Sequence, residues 1–529
     1  MEGPPKGRLS YHQTPGVLNP TIWTVIPHYP TIELMSNPSS TYHLARFFWI
    51  RLLAFVFFAA FLSAFLQLPG LCGSHGLLPA KIMISEAIRL LPVAWKRLWI
   101  FPTFCWISSS DFSLNLQCIL GLLASAGVLL GFAPGFLMAS CWALYLSVAQ
   151  AGQEFYHWPF DYLLLECGLL AALLAPWRFT WFKPDPKKEA PPTSWETALA
   201  LTVLFKVFFL PGAAHLSLGD PSWPTLEALS LQFWTQPLPT AFGLTLSRFP
   251  LIFLKFLTGF VLLLEMCTPL LLLFAPRIRR FAFFPLAALA IANAWTGDSI
   301  WTGVLLLALS LWTLEDISFP TRVWNYYFKT FPDKPSVPKP NLIRRTFLGL
   351  YTAILGVTFL GFFFGLLGFQ PLGSLGVWVY RGAYPTRSFN PYFRIDPIPT
   401  HRTDLTVEGT SDGMLWKEYP FRTKPGDPSI TPACGRWTLR RLDYRVAEAA
   451  LNHCEDSPFL AQLCASLLVQ DTEVLSLLAA NPFPDQPPIY VRVRKYEYRL
   501  ANAMERENTG DCWVRDSQGD FCPEIKLPK

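Results

Sequence analysis

The chain has 529 residues, 52% of them apolar and only 15% charged, with a formal net charge of +6 and a mean hydropathy of +0.31. A water-soluble globular protein carries about 25% charged residues, so an ordinary soluble enzyme is excluded. The basic residues fall in short blocks between apolar runs, which excludes the continuous basic face of a nucleic-acid-binding protein.

Residues 1–45 are polar and Pro-rich, with no early apolar core, so they do not read as a cleavable signal peptide. They are expected to form a cytosolic tail. The first apolar run, 46–67, is long enough to act as an uncleaved signal anchor. Further runs lie near 114–132, 134–150, 160–177, 194–211, 250–274, 280–296, 299–314 and 346–368. The second and third are separated by Gly131, Pro134 and Gly135; the seventh and eighth by Thr296, Gly297 and Asp298. The expectation is a polytopic α-helical membrane protein with about eight to nine transmembrane helices over 46–368.

Basic clusters occur at Lys183, Lys187 and Lys188, at Arg277, Arg279 and Arg280, and from Arg322 to Arg345. With a cytosolic N-terminus and an odd number of spans, all three fall in cytosolic loops, as the positive-inside rule asks. The loop 212–248 and everything after about 369 are then lumenal. Cys118, Cys141, Cys167 and Cys267 lie within spans, and Cys72, Cys105, Cys434, Cys454, Cys464, Cys512 and Cys522 on the lumenal side. An oxidising lumen permits disulfides, with Cys72–Cys105 and Cys512–Cys522 as expected pairs, although spacing does not fix connectivity.

From 377 to 529 the sequence changes character. Short alternating runs over 377–430 read as strands and turns, 442–480 as helical, and YVRVRKYEYRL as a strand. This predicts a lumenal C-terminal α+β domain, a β-sandwich-like sheet with a helical insert.

No nucleotide, metal or hydrolase motif is present, and no cofactor is expected. Ionisable residues inside spans are costly and need partners. Glu166 and Lys206 are expected to pair across neighbouring helices, with proton relay or substrate coordination as the alternative. Asp161 reads as interfacial. Glu265, followed by Cys267 and Pro269, marks a kinked helix. The loop 212–240 is long, aromatic and broken by Pro. His215, Asp220, Trp223, Trp234 and Gln236 are candidates for a lumenal pocket there, against the alternative of an amphipathic segment lying on the membrane.

Several segments, in order, carry a family resemblance. They are GLLPA (76–80), LLLECG (163–168), LGDPSWPTLEAL with TQPLP (235–239), and Glu265 with Pro269. Beyond the spans come LTVEGTSDGMLWKEYPFRTKPGDP (405–428), RRLDY (440–444), LLAANPFPDQPPIYVR (477–492) and YEYR (496–499). The chain resembles the lipase maturation factor family, endoplasmic-reticulum membrane proteins that assist folding of secreted lipases. The resemblance implies a multi-pass protein of that membrane, N-terminus cytosolic and C-terminus lumenal, acting as a chaperone-like factor in lipase folding, assembly and secretion. It implies no catalysis. Its partners are then secreted lipases and membrane lipid, not nucleic acid, with self-association left open. Trp416 and Tyr444 join the candidate client-contact residues. The chain departs from the family pattern at His215, where a Lys is usual, at Trp234, where an acid is usual, and at Tyr444, where a Trp is usual. Two other readings stay open. One is a membrane enzyme distantly related to the vitamin K-dependent carboxylases, acting on a lipid or quinone, which the missing catalytic cluster weighs against. The other is a transporter, which the missing internal repeat weighs against.

Overall fold

A computed structural model describes residues 41–179, 190–323, 342–393, 396–432 and 437–526. The basic cluster at Lys183, Lys187 and Lys188, most of 322–345, and Cys434 fall outside the described residues.

The first apolar run becomes α1 (His43–Cys72), 30 residues and so about 45 Å long, well beyond a hydrocarbon core of about 30 Å. Asp316 satisfies its first turn, accepting from His43 N (3.1 Å) and Leu44 N (2.7 Å). The far third of α1, still beside Asp111 of the bundle, also meets the C-terminal region. Ser63 Oγ and Gln67 Nε2 donate to Leu439 O at 3.0 and 2.8 Å, and Arg441 N donates to Gln67 Oε1.

Two short helices follow, α2 (Ala80–Leu90) and α3 (Ala94–Ile100). Then come α4 (Asp111–Leu130), α5 (Pro134–Ala151), α6 (Pro159–Leu174) and α7 (Ser194–Ser217). Between α7 and the next long helix lie α8 (Ala228–Thr235) and α9 (Ala241–Leu246). The bundle continues with α10 (Leu251–Cys267), α11 (Pro276–Arg279), α12 (Phe283–Thr296), α13 (Ile300–Ser310) and α14 (Leu342–Leu366). Pro269 ends the regular winding of α10, and the chain goes on as a 3-10 turn, Pro269–Leu273.

Each expected apolar run contains a helix, but the count of eight to nine spans is not reached on length. Among the described residues, five helical stretches are long and apolar enough to cross a membrane: His43–Cys72, Asp111–Leu130, Ser194–Ser217, Leu251–Leu273 and Leu342–Leu366. The helices α6, α12 and α13 have 16, 14 and 11 residues, hence rises of roughly 24, 21 and 17 Å. The 18 residues of α5 are diluted by Ser140, Ser147 and Gln150.

After α14 the chain turns at Gly368, whose φ of +82° suits glycine, and runs back along α14 as α15 (Gln370–Ala383). The two helices touch backbone to backbone. A Cβ on Gly361 would lie 2.3 Å from Gly376 Cα, so neither position tolerates a side chain. Residues 377–383, expected to begin the strand-and-turn sequence, instead complete this helix.

The C-terminal region forms one antiparallel sheet, not a sandwich, in the order β2-β1-β3-β4. The strands are β1 (Arg402–Thr410), β2 (Lys417–Glu418), β3 (Tyr490–Leu500) and β4 (Trp513–Ile525), with Val407 opposite Val493. Two helices, α16 (Arg441–Ala449) and α17 (Pro458–Leu468), pack beside the sheet. One continuous apolar core runs from Trp49 and Phe57 of α1 through Leu460 and Leu463 of α17 to Val407 and Val493.

The disulfide expectation is corrected. Cys522 bonds Cys454, with Cα atoms 5.5 Å apart, and Cys72, Cys105 and Cys512 are buried free thiols. Cys512 precedes β4 and Cys522 lies near its other end. Roughly 30 Å of extended strand separates them, against the 4.4–6.8 Å that a disulfide spans. Cys512 Sγ instead sits 3.0 Å from Thr431 Oγ1. Cys72 closes α1, whereas Cys105 sits in a 3-10 turn whose own backbone is held by Thr103 Oγ1. The observed bond ties the start of α17 to β4. Replacing Cys454 by Ser should therefore cost about 2–4 kcal/mol in denaturant unfolding. Alkylation with mass analysis under non-reducing and reducing conditions should show one protected pair.

Candidate functional site

The loop 218–250 and the sheet meet around Arg402, at the first position of β1. Its guanidinium donates to Trp234 O (3.1 Å), Gln236 O (2.5 Å) and Pro237 O (3.1 Å), and to Asp404 Oδ2 (2.6 Å). Lys424 Nζ reaches the other Asp404 oxygen at 2.7 Å and the carbonyls of Leu405 and Pro425. All three side chains are buried. Two cations thus share one carboxylate, and backbone carbonyls supply further acceptors for the terminal nitrogens, while Arg402 Nε has no partner among the described residues. Arg402→Met should strand those carbonyls and cost on the order of 3 kcal/mol. Limited proteolysis should then cut first within 218–250.

A second tie lies beside it. Asp220 accepts from Ser222 N (2.9 Å), Ser222 Oγ (2.7 Å) and Ile398 N (3.0 Å), joining the loop to the approach to β1. Partial burial works against the carboxylate, but these donors hold the Asp220 pKa below its ordinary value. The stability it contributes is present above the ordinary aspartate pKa and is lost as pH falls through the lowered one. Asp220→Asn should flatten the acid side of the stability–pH curve.

Trp223 folds back on His215, ring centroids 3.6 Å apart and nearly parallel, and His215 Nε2 lies 3.7 Å from Glu265 Oε2 on α10. Trp223 is buried there and is not turned outward onto a membrane surface. A cavity of about 360 Å³ opens between this loop, the sheet and α16. His215, Asp220, Trp223, Gln236 and Tyr444 all line it. So do His157, Asp396 and His401, which the sequence reading did not single out. Gln236 Nε2 donates to Thr296 O at 2.6 Å, and the Tyr444 ring stacks on Trp158 at 4.2 Å. Trp234 and Trp416 lie elsewhere. Trp234 Nε1 bonds Ser230 O, and its ring packs beside Leu244, Tyr498 and Trp513. Trp416 lies under the Arg492 guanidinium, 3.7 Å from the ring centre.

Two buried charge networks lie between the bundle and the C-terminal region. In the first, Arg441 of α16 donates to Asp161 of α6 through both terminal nitrogens, at 2.5 and 2.8 Å. Tyr145 OH donates to Asp161 at 2.6 Å, and the guanidinium lies 4.2 Å from the Tyr156 ring centre. Burial opposes the guanidinium charge, but Asp161, with Tyr145 and Tyr156, holds the Arg441 pKa above its ordinary value. Asp161 is therefore a buried docking acid, not the interfacial residue expected from its place at a helix start.

In the second, Lys206 donates to Glu166, both fully buried. Lys206 lies twelve positions into α7, about 18 Å from its start. Glu166 also accepts from Phe389 N (3.0 Å) and from the Tyr392 hydroxyl. The segment after α15 thus reaches the heart of the bundle. Arg387 Nη1 donates there to Tyr156 O at 2.7 Å, and Gln150 Nε2 to Pro385 O at 3.1 Å. Irregular backbone at this depth is tolerated because protein groups satisfy it. Among the described residues, no three His, Cys, Asp or Glu side chains cluster to hold a metal ion.

Residues 44–321 match the family model of the lipase maturation factor transmembrane domain, and 388–523 that of the lipase maturation factor C-terminal domain. The chain belongs to the lipase maturation factor family. It is 28% identical to lipase maturation factor 1 of Mus musculus, over 92% of this chain and 88% of the relative. It is 28% identical to lipase maturation factor 2 of Gallus gallus, over 90% and 80%, and 27% identical to lipase maturation factor 1 of Homo sapiens, over 92% and 89%. No solved structure matches it. In this lipase maturation factor fold, the four contacts described above all join one family domain to the other. Asp161 meets Arg441, Glu166 meets Phe389 and Tyr392, Asp220 meets Ile398, and the loop carbonyls meet Arg402.

Proposed function

We propose that this protein assists the folding, assembly and secretion of lipases, as a chaperone-like factor of the endoplasmic-reticulum membrane. The observation that carries the reading is the match to both family domains, in order, along most of the chain. The N-terminus faces the cytosol, and the loop 218–250 with the C-terminal domain faces the lumen. Arg277, Arg279 and Arg280 between spans, with Arg344 and Arg345 in the first turn of α14, support this orientation by the positive-inside rule. The client is a partly folded lipase, and the surface offered to it surrounds the cavity between the loop and the sheet. Its lining of aromatic rings, imidazoles and carboxylates suits a polypeptide carrying exposed polar and apolar groups. The role asks for binding and release and needs no catalytic step.

The test is secretion of active lipase from maturation-deficient cells supplied with this gene. The full chain should restore lipase activity in the medium. Removing everything after residue 376 would also strand Glu166 and Asp161, so its failure would say little about client binding. His215→Ala and Trp416→Ala, one in the cavity and one away from it, give the sharper contrast. The first should reduce secretion at equal membrane level, and the second should not. No rescue by a correctly inserted, well-expressed full chain would sink the proposal.

A further inference from the structure

A second cavity, of about 600 Å³, lies between α7, the 3-10 turn Pro269–Leu273 and α14. Along α7 it is walled by Ser194, Ala198, Leu201, Phe205 and Phe209. Their spacing of three to four places them on one helical face. From Ser194 to Phe209 the helix rises roughly 22 Å, enough to accommodate a hydrocarbon half-layer of about 15 Å and the start of the headgroup region.

The groove is polar at one end and apolar at the other. At the far end Phe205 meets Phe359 edge-on at 5.7 Å, and Phe209 lies against Phe363 at 5.9 Å. At the α7 start it is lined by Tyr42, Ser194, Thr197 and Arg279. Arg279 donates to the Tyr42 hydroxyl (3.3 Å) and to Phe274 O (3.2 Å), and its Nε finds no partner among the described residues. Arg277 and Arg280 flank it. Two acids close by in the fold are committed elsewhere. Glu196 accepts from Thr193 N and pairs with Arg344, and Asp316 holds the first turn of α1. Among the described residues no carboxylate forms an ion pair with Arg277, Arg279 or Arg280. A cationic mouth whose arginines form no ion pair with the nearby Glu315 or Asp316, leading into an aromatic groove between spans, complements an amphiphile with an anionic head and a hydrocarbon tail.

We propose that this groove holds one acyl chain of an anionic glycerophospholipid, its phosphate on Arg279 with Arg277 and Arg280 beside it. The recessed groove distinguishes the site from the lipid that surrounds any membrane protein, and the arginines set its preference for negative headgroups. This holds whether or not the protein acts on lipases.

The full chain, purified in detergent and stripped of lipid, is offered phosphatidylglycerol or phosphatidylcholine with identical acyl chains, and retained lipid is counted by native mass spectrometry. One phosphatidylglycerol should be kept per chain, roughly tenfold better than phosphatidylcholine. The variant R277Q/R279Q/R280Q should reduce phosphatidylglycerol retention to the phosphatidylcholine level while leaving phosphatidylcholine retention unchanged. Ala198→Trp, which fills the groove from an exposed position of α7, should abolish retention of both. Glycerol phosphate without acyl chains should not displace the bound lipid. Equal retention of the two lipids by the unmodified chain overturns the proposal. So does full phosphatidylglycerol retention by the triple arginine variant or by a folded Ala198→Trp protein.

Discussion

Replacing Arg441 with Gln should destabilise the protein by about 3–5 kcal/mol, the usual cost of removing one member of a buried pair. The reason is geometric. Asp161 and Arg441 are both almost wholly buried, 0% and 1% exposed. In the variant Asp161 keeps only the Tyr145 hydroxyl and its own helix start, so a carboxylate remains in the core without its cation. Arg441→Lys should do nearly as badly, because an ammonium cannot make the two-pronged contact or lie flat on Tyr156. The double variant D161N/R441Q should recover much of the loss, since a buried pair contributes far less net stability than breaking it costs. The measurement is denaturant or thermal unfolding in mild detergent, with proteolytic release of the C-terminal domain as a second readout. A change below about 0.5 kcal/mol for Arg441→Gln, within the range of ordinary surface substitutions, would show that this pair does not hold the two domains together.

Asp161 also shows where sequence reasoning stops. The rule that a buried charge needs a partner is sound, yet it names no partner. At a span entry, an acid has a local explanation in the hydrated membrane interface, and that explanation suffices for the sequence alone. The true partner lies 280 residues away, just before a segment read only as helical. Glu166 and Lys206 were more legible, because neither has a local partner and each lies well inside an apolar helix. Even so, Phe389 and Tyr392 could not be found, since the apolar pattern of 346–368 suggests a chain that leaves the membrane and stays out. What brings it back is the close approach of Gly361 and Gly376, and small residues in an apolar run carry no signal of which helix they will meet. The span count of eight to nine is not matched by helix length, for a related reason. Run length measures apolar residues, whereas a helix also needs its ends, and Pro, Gly and 3-10 turns shorten α12 and α13 further from runs already under bilayer thickness. The loop was legible in composition but not in shape. His215, Asp220, Trp223 and Gln236 stand out as polar and aromatic residues among prolines. That they and Tyr444 surround one cavity depends on Arg402 gathering three carbonyls, a contact invisible in any one-dimensional pattern.

Glu166 and Lys206 should not be equivalent under mutation, although they form one ion pair. Glu166→Gln takes from Lys206 its carboxylate. The ammonium is then left fully buried without an anion, with the Tyr392 ring 5.0 Å away and the Cys167 thiol nearby. The expected loss is about 3–5 kcal/mol, that of an uncompensated buried charge. Lys206→Met removes the cation instead, but Glu166 still accepts from Phe389 N and from Tyr392 OH. Those donors continue to stabilise the carboxylate, so the loss should be smaller, on the order of 2 kcal/mol. The two variants should also fail differently. With Glu166→Gln, the segment 384–393 loses a charge-assisted anchor and should become sensitive to protease and to hydrogen exchange. With Lys206→Met, it should stay protected. Melting temperature and exchange protection at Phe389, measured together in the same detergent, separate these outcomes. If both variants lose the same stability and 384–393 keeps its protection in each, Glu166 is not what holds this segment in the bundle, and the approach of α15 to α14 alone must place it there.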